Sequence, residues 1–131
     1  MKHAMILAAA LPLSACAIVP NSPIVDSQRE VAQQGSLVGL LQPVQLGRIV
    51  VTPMQVTEDS RCPQGVQCVT AGRVIVDTRI DGPGWRQTQP LVLGEPHSVR
   101  GFTVVLAEVR PAMRLDPRIT SADYRVRYTS E

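Results

Sequence analysis

The side chains best suited to chemistry lie between residues 58 and 72. Asp59 has a carboxylate that could act as a general base or metal ligand, and Arg61 has a guanidinium that could clamp a carboxylate or phosphate. Their spacing also suits a structural role, with Asp59 bonded to turn backbone and Arg61 paired with Asp59, with Glu58 or with a loop carbonyl. His97, the one histidine after residue 15, lies in a predicted turn, where a solvated side chain is expected. The pattern favours structural roles for these side chains.

Familiar catalytic and cofactor-binding motifs are absent from the sequence. It has no glycine-rich phosphate loop, no nucleophile elbow and no paired carboxylates on a recognisable scaffold. We therefore predict that the protein is not an enzyme, with no catalytic residues and no cofactor. After residue 15 the chain has 12 Arg, no Lys and 11 Asp and Glu, so it lacks the concentrated positive charge expected of a nucleic-acid-binding domain.

The N-terminus has the organisation of an export signal. Lys2 precedes ten mainly apolar residues, 4–13, which are too few to cross a bilayer as a helix, since that takes about 20. The following Leu-Ser-Ala-Cys, which ends at Cys16, resembles the lipobox of bacterial lipoproteins. The resemblance implies cleavage before Cys16, a diacylglycerol on its sulfur and an acyl chain such as palmitate on its amino group. An ordinary secretory signal with an incidental cysteine is the alternative.

These features divide the chain into three segments. We predict a signal peptide over 1–15, a lipidated cysteine with a flexible, polar tether over 16–34, and one β domain over 35–131. A short helix over 25–34 is an alternative for part of the tether. In a Gram-negative host, Ala17 after the cysteine favours the outer membrane, so we expect a lipid-anchored protein facing the periplasm.

The two remaining cysteines, Cys62 and Cys68, are expected to form a disulfide. If Cys16 carries lipid, they are an isolated pair in an oxidising compartment. The alternative is a metal site with both thiolates and either His97 or Asp59. Zinc sites usually have two to four residues between cysteines and a fuller ligand set, so we predict no metal.

The composition favours strands, since the chain has 18 Val and 7 Ile but only four aromatic residues. From residue 35 onward, short Val- and Ile-rich runs alternate with turn residues, and no long run has a helical period. We predict an all-β fold, a single antiparallel β-sandwich or barrel-like domain of about seven strands. The strands fall within 36–46, 48–57, 73–80, 85–93, a short segment near residue 98, 102–110 and 123–129.

Two of these runs carry finer predictions. Pro53 interrupts the second run and should lie at an edge or a bulge, because proline cannot donate to a central ladder. The 102–110 run is apolar on both of its faces, which predicts a central strand covered on both sides.

The string Asp59-Ser60-Arg61-Cys62-Pro63, followed by Cys68 and Ala71-Gly72, resembles a family of small bacterial lipoproteins and secreted proteins without an established biochemical function. The firm part spans 59–72. Many relatives have a tryptophan before Ala-Gly, where this chain has Thr70. The resemblance implies an architecture rather than an activity.

Two functions are consistent with the sequence. In the first, a non-catalytic interaction or structural module is held on the lipid bilayer through acylated Cys16 and presents its cystine loop or a sheet edge to an envelope protein or cell-wall component. The candidate binding loop then comprises Asp59, Arg61, Gln64 and Gln67. In the second, a periplasmic lipoprotein binds a small ligand or metal ion through Asp59, Glu58, His97, Met54 or Met113.

Overall fold

The computed structural model describes residues 29–131. The predicted signal peptide, Cys16 and the tether as far as residue 28 lie outside the described residues. The strands are β1 (Val44–Leu46), β2 (Ile49–Asp59), β3 (Val74–Gly82), β4 (Trp85–Val92), β5 (Pro96–Val99), β6 (Phe102–Arg110) and β7 (Arg125–Thr129). Residues 29–131 contain no helix, and hence none that could cross a membrane.

The strands form two antiparallel sheets. One has the order β1-β2-β3-β4 and the other β5-β6-β7. The predicted all-β, antiparallel fold of about seven strands is confirmed. Both sheets are open, so of the two predicted alternatives the structure is the sandwich rather than the barrel.

The core lies between the sheets and follows the alternation of the strands. In β3 the alternating side chains of Val76, Thr78 and Ile80 are fully buried, and Val126 and Tyr128 of β7 face them from the other sheet. The hydroxyls of Thr78 and Tyr128 share a buried hydrogen bond of 2.8 Å. This bond satisfies two polar groups that would otherwise be unpaired in an apolar interior.

The segment before β1 covers one edge of each sheet. Ala32 pairs with the edge of β1, donating to Pro43 O at 2.8 Å, and Val38 exchanges two backbone hydrogen bonds of 2.9 and 2.8 Å with Val126 of β7. The predicted strand over 36–46 is therefore wrong in extent, because residues 38–43 cross between sheets and only 44–46 form a strand. The last part of the predicted tether, 29–34, contacts the domain and is not helical.

The finer strand predictions have different outcomes. The predicted bulge at Pro53 is confirmed by a register shift between Pro53 and Gln55. β6 is the middle strand of its sheet, as predicted, but the prediction of cover on both sides is wrong. Val104 and Leu106 are fully buried, whereas Ala107 is exposed, because a two-layer sandwich leaves the outer face of each sheet without a covering layer.

The sandwich has two ends with different contents. We call one the hairpin end; it contains the three two-residue turns Gly47–Arg48, Pro83–Gly84 and Arg100–Gly101. We call the other the cystine end; it contains the loops 60–73 and 111–124. β2 runs from the first end to the second over 11 residues, or roughly 35 Å.

Candidate functional site

The cystine end is organised by an ion pair between two of the predicted site residues. Nε of Arg61 donates to Oδ1 of Asp59 at 2.8 Å, and Nη2 donates to Oδ2 at 2.7 Å. This fork is bidentate, the strongest geometry available to the two groups. The side chains are only 16% and 7% exposed, so the pair is largely shielded from water.

The same pair reaches across to the second sheet. Nη1 of Arg61 donates to the carbonyl oxygen of Val109 in β6 at 3.1 Å, and the hydroxyl of Tyr124, just before β7, donates to Oδ2 of Asp59 at 2.9 Å. Both carboxylate oxygens of Asp59 therefore accept hydrogen bonds from within the protein. We call these four residues the cross-sheet network.

Burial and hydrogen bonding act against each other on Asp59. Burial raises the pKa of its carboxyl, but the hydrogen bonds from Arg61 and Tyr124 favour the charged form and leave the pKa below its ordinary value. Burial and the bond to Asp59 raise the pKa of Tyr124 to about 12. At neutral pH the network is therefore an ionised Asp–Arg pair with a neutral tyrosine.

A disulfide closes the adjoining loop, and the predicted pairing of Cys62 with Cys68 is present, with their Cα atoms 5.9 Å apart. The amide of Cys62 also donates to Ala71 O at 3.2 Å. The loop turns tightly at Gly72, where an added Cβ would lie 1.8 Å from the carbonyl oxygen of Ser60. This close approach explains the need for glycine at the end of the Asp59–Gly72 motif.

The loop is attached to its neighbour as well as to its own strands. The amide of Gln64 donates to Met113 O at 3.1 Å, which joins the loop 60–73 to the loop 111–124. Glu58, just before the loop, and Arg73, the last residue of the loop, form an ion pair of 2.8 Å. These bonds fix the position of the loop on the sandwich.

The side chains that the loop presents to solvent differ from those expected from the sequence. Gln64 and Gln67 are exposed, but Asp59 and Arg61 belong to the cross-sheet network. Val69 is fully exposed and Val66 is 44% exposed, and Leu115 on the neighbouring loop is 73% exposed. Sequence reasoning missed these apolar residues. For Val66 the signal was available, because a ring of seven residues closed by a disulfide is too short to return its side chains to the core.

The remaining candidate residues are dispersed. His97 lies on β5 opposite Val104, in the other sheet from Asp59, and Met54 lies on β2 away from the cystine loop. Across residues 29–131 there is no group of three or more His, Cys, Asp or Glu side chains arranged to hold a metal ion. Thr70, near the end of the loop, is exposed.

A polar cavity of about 430 Å³ lies between the segment 29–42 and residues 121–125. Arg125 lines it, but Nη1 of Arg125 donates to the carbonyl oxygens of Ala122 and Tyr124 at 2.9 and 2.7 Å. None of the residues predicted for ligand or metal binding lines this cavity.

Comparison of the chain with protein-family models, curated proteins and solved structures gives no significant match.

Proposed function

We propose that the protein is a lipid-anchored, non-catalytic interaction module of the bacterial cell envelope, and that it recognises a partner through the tip of its cystine loop. The lipobox-like sequence at Cys16 supports the anchor. The observation that carries the proposal is the exposure of Gln64, Val66 and Gln67 within the ring that the Cys62–Cys68 disulfide closes, with Val69 exposed beside it.

A constrained loop of this kind favours recognition for an energetic reason. Ordering a flexible loop on binding costs about 0.5–1.5 kcal/mol for each immobilised side chain, and a loop closed by the Cys62–Cys68 bond has less freedom to lose. The exposed valines add apolar area to the loop, and the two glutamines add hydrogen-bonding groups. Protein interfaces combine both kinds of surface.

The functional assignment of Asp59 and Arg61 changes with the structure. Their hydrogen bonds are made to each other, to Tyr124 and to Val109, so we propose that they position the loop and do not touch the partner. Gln64 and Gln67 remain in the proposed contact surface, joined by Val66 and Val69.

Site-specific photo-crosslinking in living cells tests the contact surface. A photoreactive residue in place of Gln67 or Val69 should give one defined adduct, and the same residue in place of Thr88, exposed on β4, should not. The adduct should disappear when Cys62 and Cys68 are both changed to serine. Adducts of equal yield from Thr88 and Val69 would contradict recognition by the loop.

The anchor has its own test. Mass spectrometry of the N-terminal peptide of the mature protein should show Cys16 as the first residue with diacylglycerol and an acyl chain attached. An unmodified Cys16, or cleavage elsewhere, would overturn the membrane assignment while leaving the loop proposal open to the crosslinking experiment.

A further inference from the structure

The hairpin end carries a row of four side chains, in which two neighbouring aromatic rings lie between two arginines. The guanidinium carbon of Arg48 lies 5.7 Å from the ring centre of Phe102, and that of Arg100 lies 5.4 Å from the ring of Trp85. The two rings are 6.2 Å apart, with an angle of 39° between their planes. We call these four residues the arginine–aromatic row. It joins the two sheets, since Trp85 begins β4 and Phe102 begins β6.

The two arginines of the row form no ion pair, whereas most other arginines of the described domain do. Arg61, Arg73, Arg110 and Arg127 each pair with a carboxylate, and Asp81 accepts from Arg79 and Arg86. Within residues 29–131, Arg48 and Arg100 have their ring contacts and no ion pair. An arginine over a ring keeps N–H donors at its edge, where they can meet an anion.

The backbone conformation at Arg100 is unfavourable for arginine. Arg100 and Gly101 form a two-residue turn between Val99 and Phe102, and both have positive φ angles, of 47° and 82°. Asparagine and glycine are the favoured residues in such a turn, because other side chains are strained at positive φ. A side chain that is locally unfavourable but displayed at a turn tip suggests a role outside the fold.

The charge of this end is positive. It contains Arg48, Arg86 and Arg100 together with Arg79, against the carboxylates of Asp81 and Glu131. Asp81 is fully buried beneath its two arginines. Arg48, Arg86 and Arg100 are exposed at this end, against the exposed carboxylate of Glu131, which lines the same cavity as Arg48.

We propose that the hairpin end docks on the anionic phospholipid headgroups of the membrane to which Cys16 attaches the protein. Tryptophan and arginine together are the residues that favour a bilayer interface, where rings lie at headgroup level and guanidinium groups bind phosphate. A cavity of about 260 Å³ opens beside Arg48 and Phe102 and offers space for a headgroup. This inference rests on the lipid anchor of the proposed function.

The length of the chain between anchor and domain permits this arrangement. Residues 17–28 span at most about 40 Å when extended, comparable with the length of the sandwich along β2. The hairpin end can therefore rest on the bilayer while Cys16 is inserted in it. The cystine loop then lies at the far end, roughly 35 Å from the headgroups, where a partner can reach it.

Trp85 is the only tryptophan of the chain, so its fluorescence reports on this end alone. The experiment uses purified acylated protein in vesicles of phosphatidylcholine with or without phosphatidylglycerol, each containing a lipid brominated on its acyl chain. We expect quenching of Trp85 in vesicles with phosphatidylglycerol, and its loss in pure phosphatidylcholine or in high salt. Absence of quenching in the anionic vesicles would overturn the proposal.

Two variants and one control locate the effect. The double change Arg48→Gln and Arg100→Gln should abolish the quenching, and Arg48→Lys with Arg100→Lys should retain most of it, because the charge is kept. Arg73→Gln with Arg118→Gln removes the same charge from the cystine end and should leave the quenching unchanged. Equal loss in this control would overturn a role specific to the row.

Separate readouts distinguish the anchor from the row. Co-sedimentation of the protein with pure phosphatidylcholine vesicles tests the lipid anchor. Failure to co-sediment would contradict the anchor of the proposed function. Quenching of Trp85 in anionic vesicles tests docking of the hairpin end separately. Addition of soluble polyphosphate provides the other arm. A change in Trp85 emission with polyphosphate but none with anionic vesicles would show that the row binds a soluble polyanion, and would overturn docking on the membrane.

Discussion

The hydroxyl of Tyr124 donates a hydrogen bond of 2.9 Å to Oδ2 of Asp59, from one sheet of the sandwich to the other. It is one of several contacts between the two sheets that are spaced along the domain. The Thr78–Tyr128 bond lies in the core, and the Trp85–Phe102 contact closes the hairpin end. Polar contacts thus connect the sheets in the core and beside the cystine loop, and aromatic packing connects them at the opposite end.

Removal of this hydroxyl should destabilise the domain. Tyr124→Phe leaves Asp59 bonded to Arg61 but takes away a hydrogen bond to a charged group, and we expect a loss of about 1–2 kcal/mol in the free energy of unfolding. Urea denaturation at pH 7 measures it. Tyr128→Phe is the matched control, because it removes a hydroxyl from a neutral bond in the core. An unchanged midpoint for Tyr124→Phe would show that the bond to Asp59 contributes nothing.

The lowered pKa of Asp59 predicts loss of stability in acid. The group binds protons more weakly in the folded protein than in the unfolded chain, where its pKa is near the ordinary 3.8. Its contribution is therefore complete above that value and falls as the pH drops through the lower, folded pKa. Asp59→Asn should lower the free energy of unfolding by about 3 kcal/mol at pH 7, because Arg61 is left without its partner. The variant should also lose less stability than the parent protein as the pH falls, and we call this fall in stability the acid limb. Denaturation between pH 2 and pH 7 measures both effects, and an acid limb as steep as in the parent protein would contradict the assignment.

The two tyrosines of the chain should resist ionisation while the domain is folded. Burial and the bond to Asp59 raise the pKa of Tyr124 to about 12, and burial raises the pKa of Tyr128 further. The neutral forms are favoured in the fold, so stability is retained below the unfolded pKa near 10 and declines above it. Absorbance at the phenolate wavelength should stay flat through pH 10 and rise only as the protein unfolds. A reversible titration of one tyrosine near pH 10 in the folded protein would show that one of them is exposed.

The sequence predicted the fold better than the site, for a physical reason. The alternation of Val74, Val76 and Ile80 along the chain indicates which face of the strand is buried. The two cysteines that remain after Cys16, Cys62 and Cys68, can pair only with each other. The bond from Tyr124 to Asp59 depends on how the two sheets pack, which no local pattern contains. The arginine–aromatic row was missed for the same reason, since Arg48, Trp85 and Arg100 come together only through three separate turns.

The close packing of Trp85 on Gly82 gives a sharp test of the hairpin end. A Cβ at residue 82 would lie 2.1 Å from the indole ring, so Gly82→Ala must displace Trp85 and should destabilise the domain by about 2 kcal/mol. Gly39→Ala is the matched control, because the nearest atom there is the guanidinium of Arg125 at 3.5 Å. Thermal unfolding followed by Trp85 fluorescence measures both. Equal effects of the two changes would contradict the packing described.

Replacement of Arg100 by asparagine should separate stability from membrane docking. Asparagine tolerates the positive φ of 47° better than arginine, which favours the fold by about 1 kcal/mol, while loss of the contact with Trp85 costs about 0.5 kcal/mol. We expect a net gain of about 0.5 kcal/mol in urea denaturation, together with weaker quenching of Trp85 in anionic vesicles. Arg48→Asn is the control, since that position has no positive φ to relieve and only the ring contact is lost, so it should be slightly destabilising. If Arg100→Asn destabilises the domain as much as Arg48→Asn does, arginine is not strained at this turn. The strained backbone would then no longer support a role for Arg100 in membrane contact.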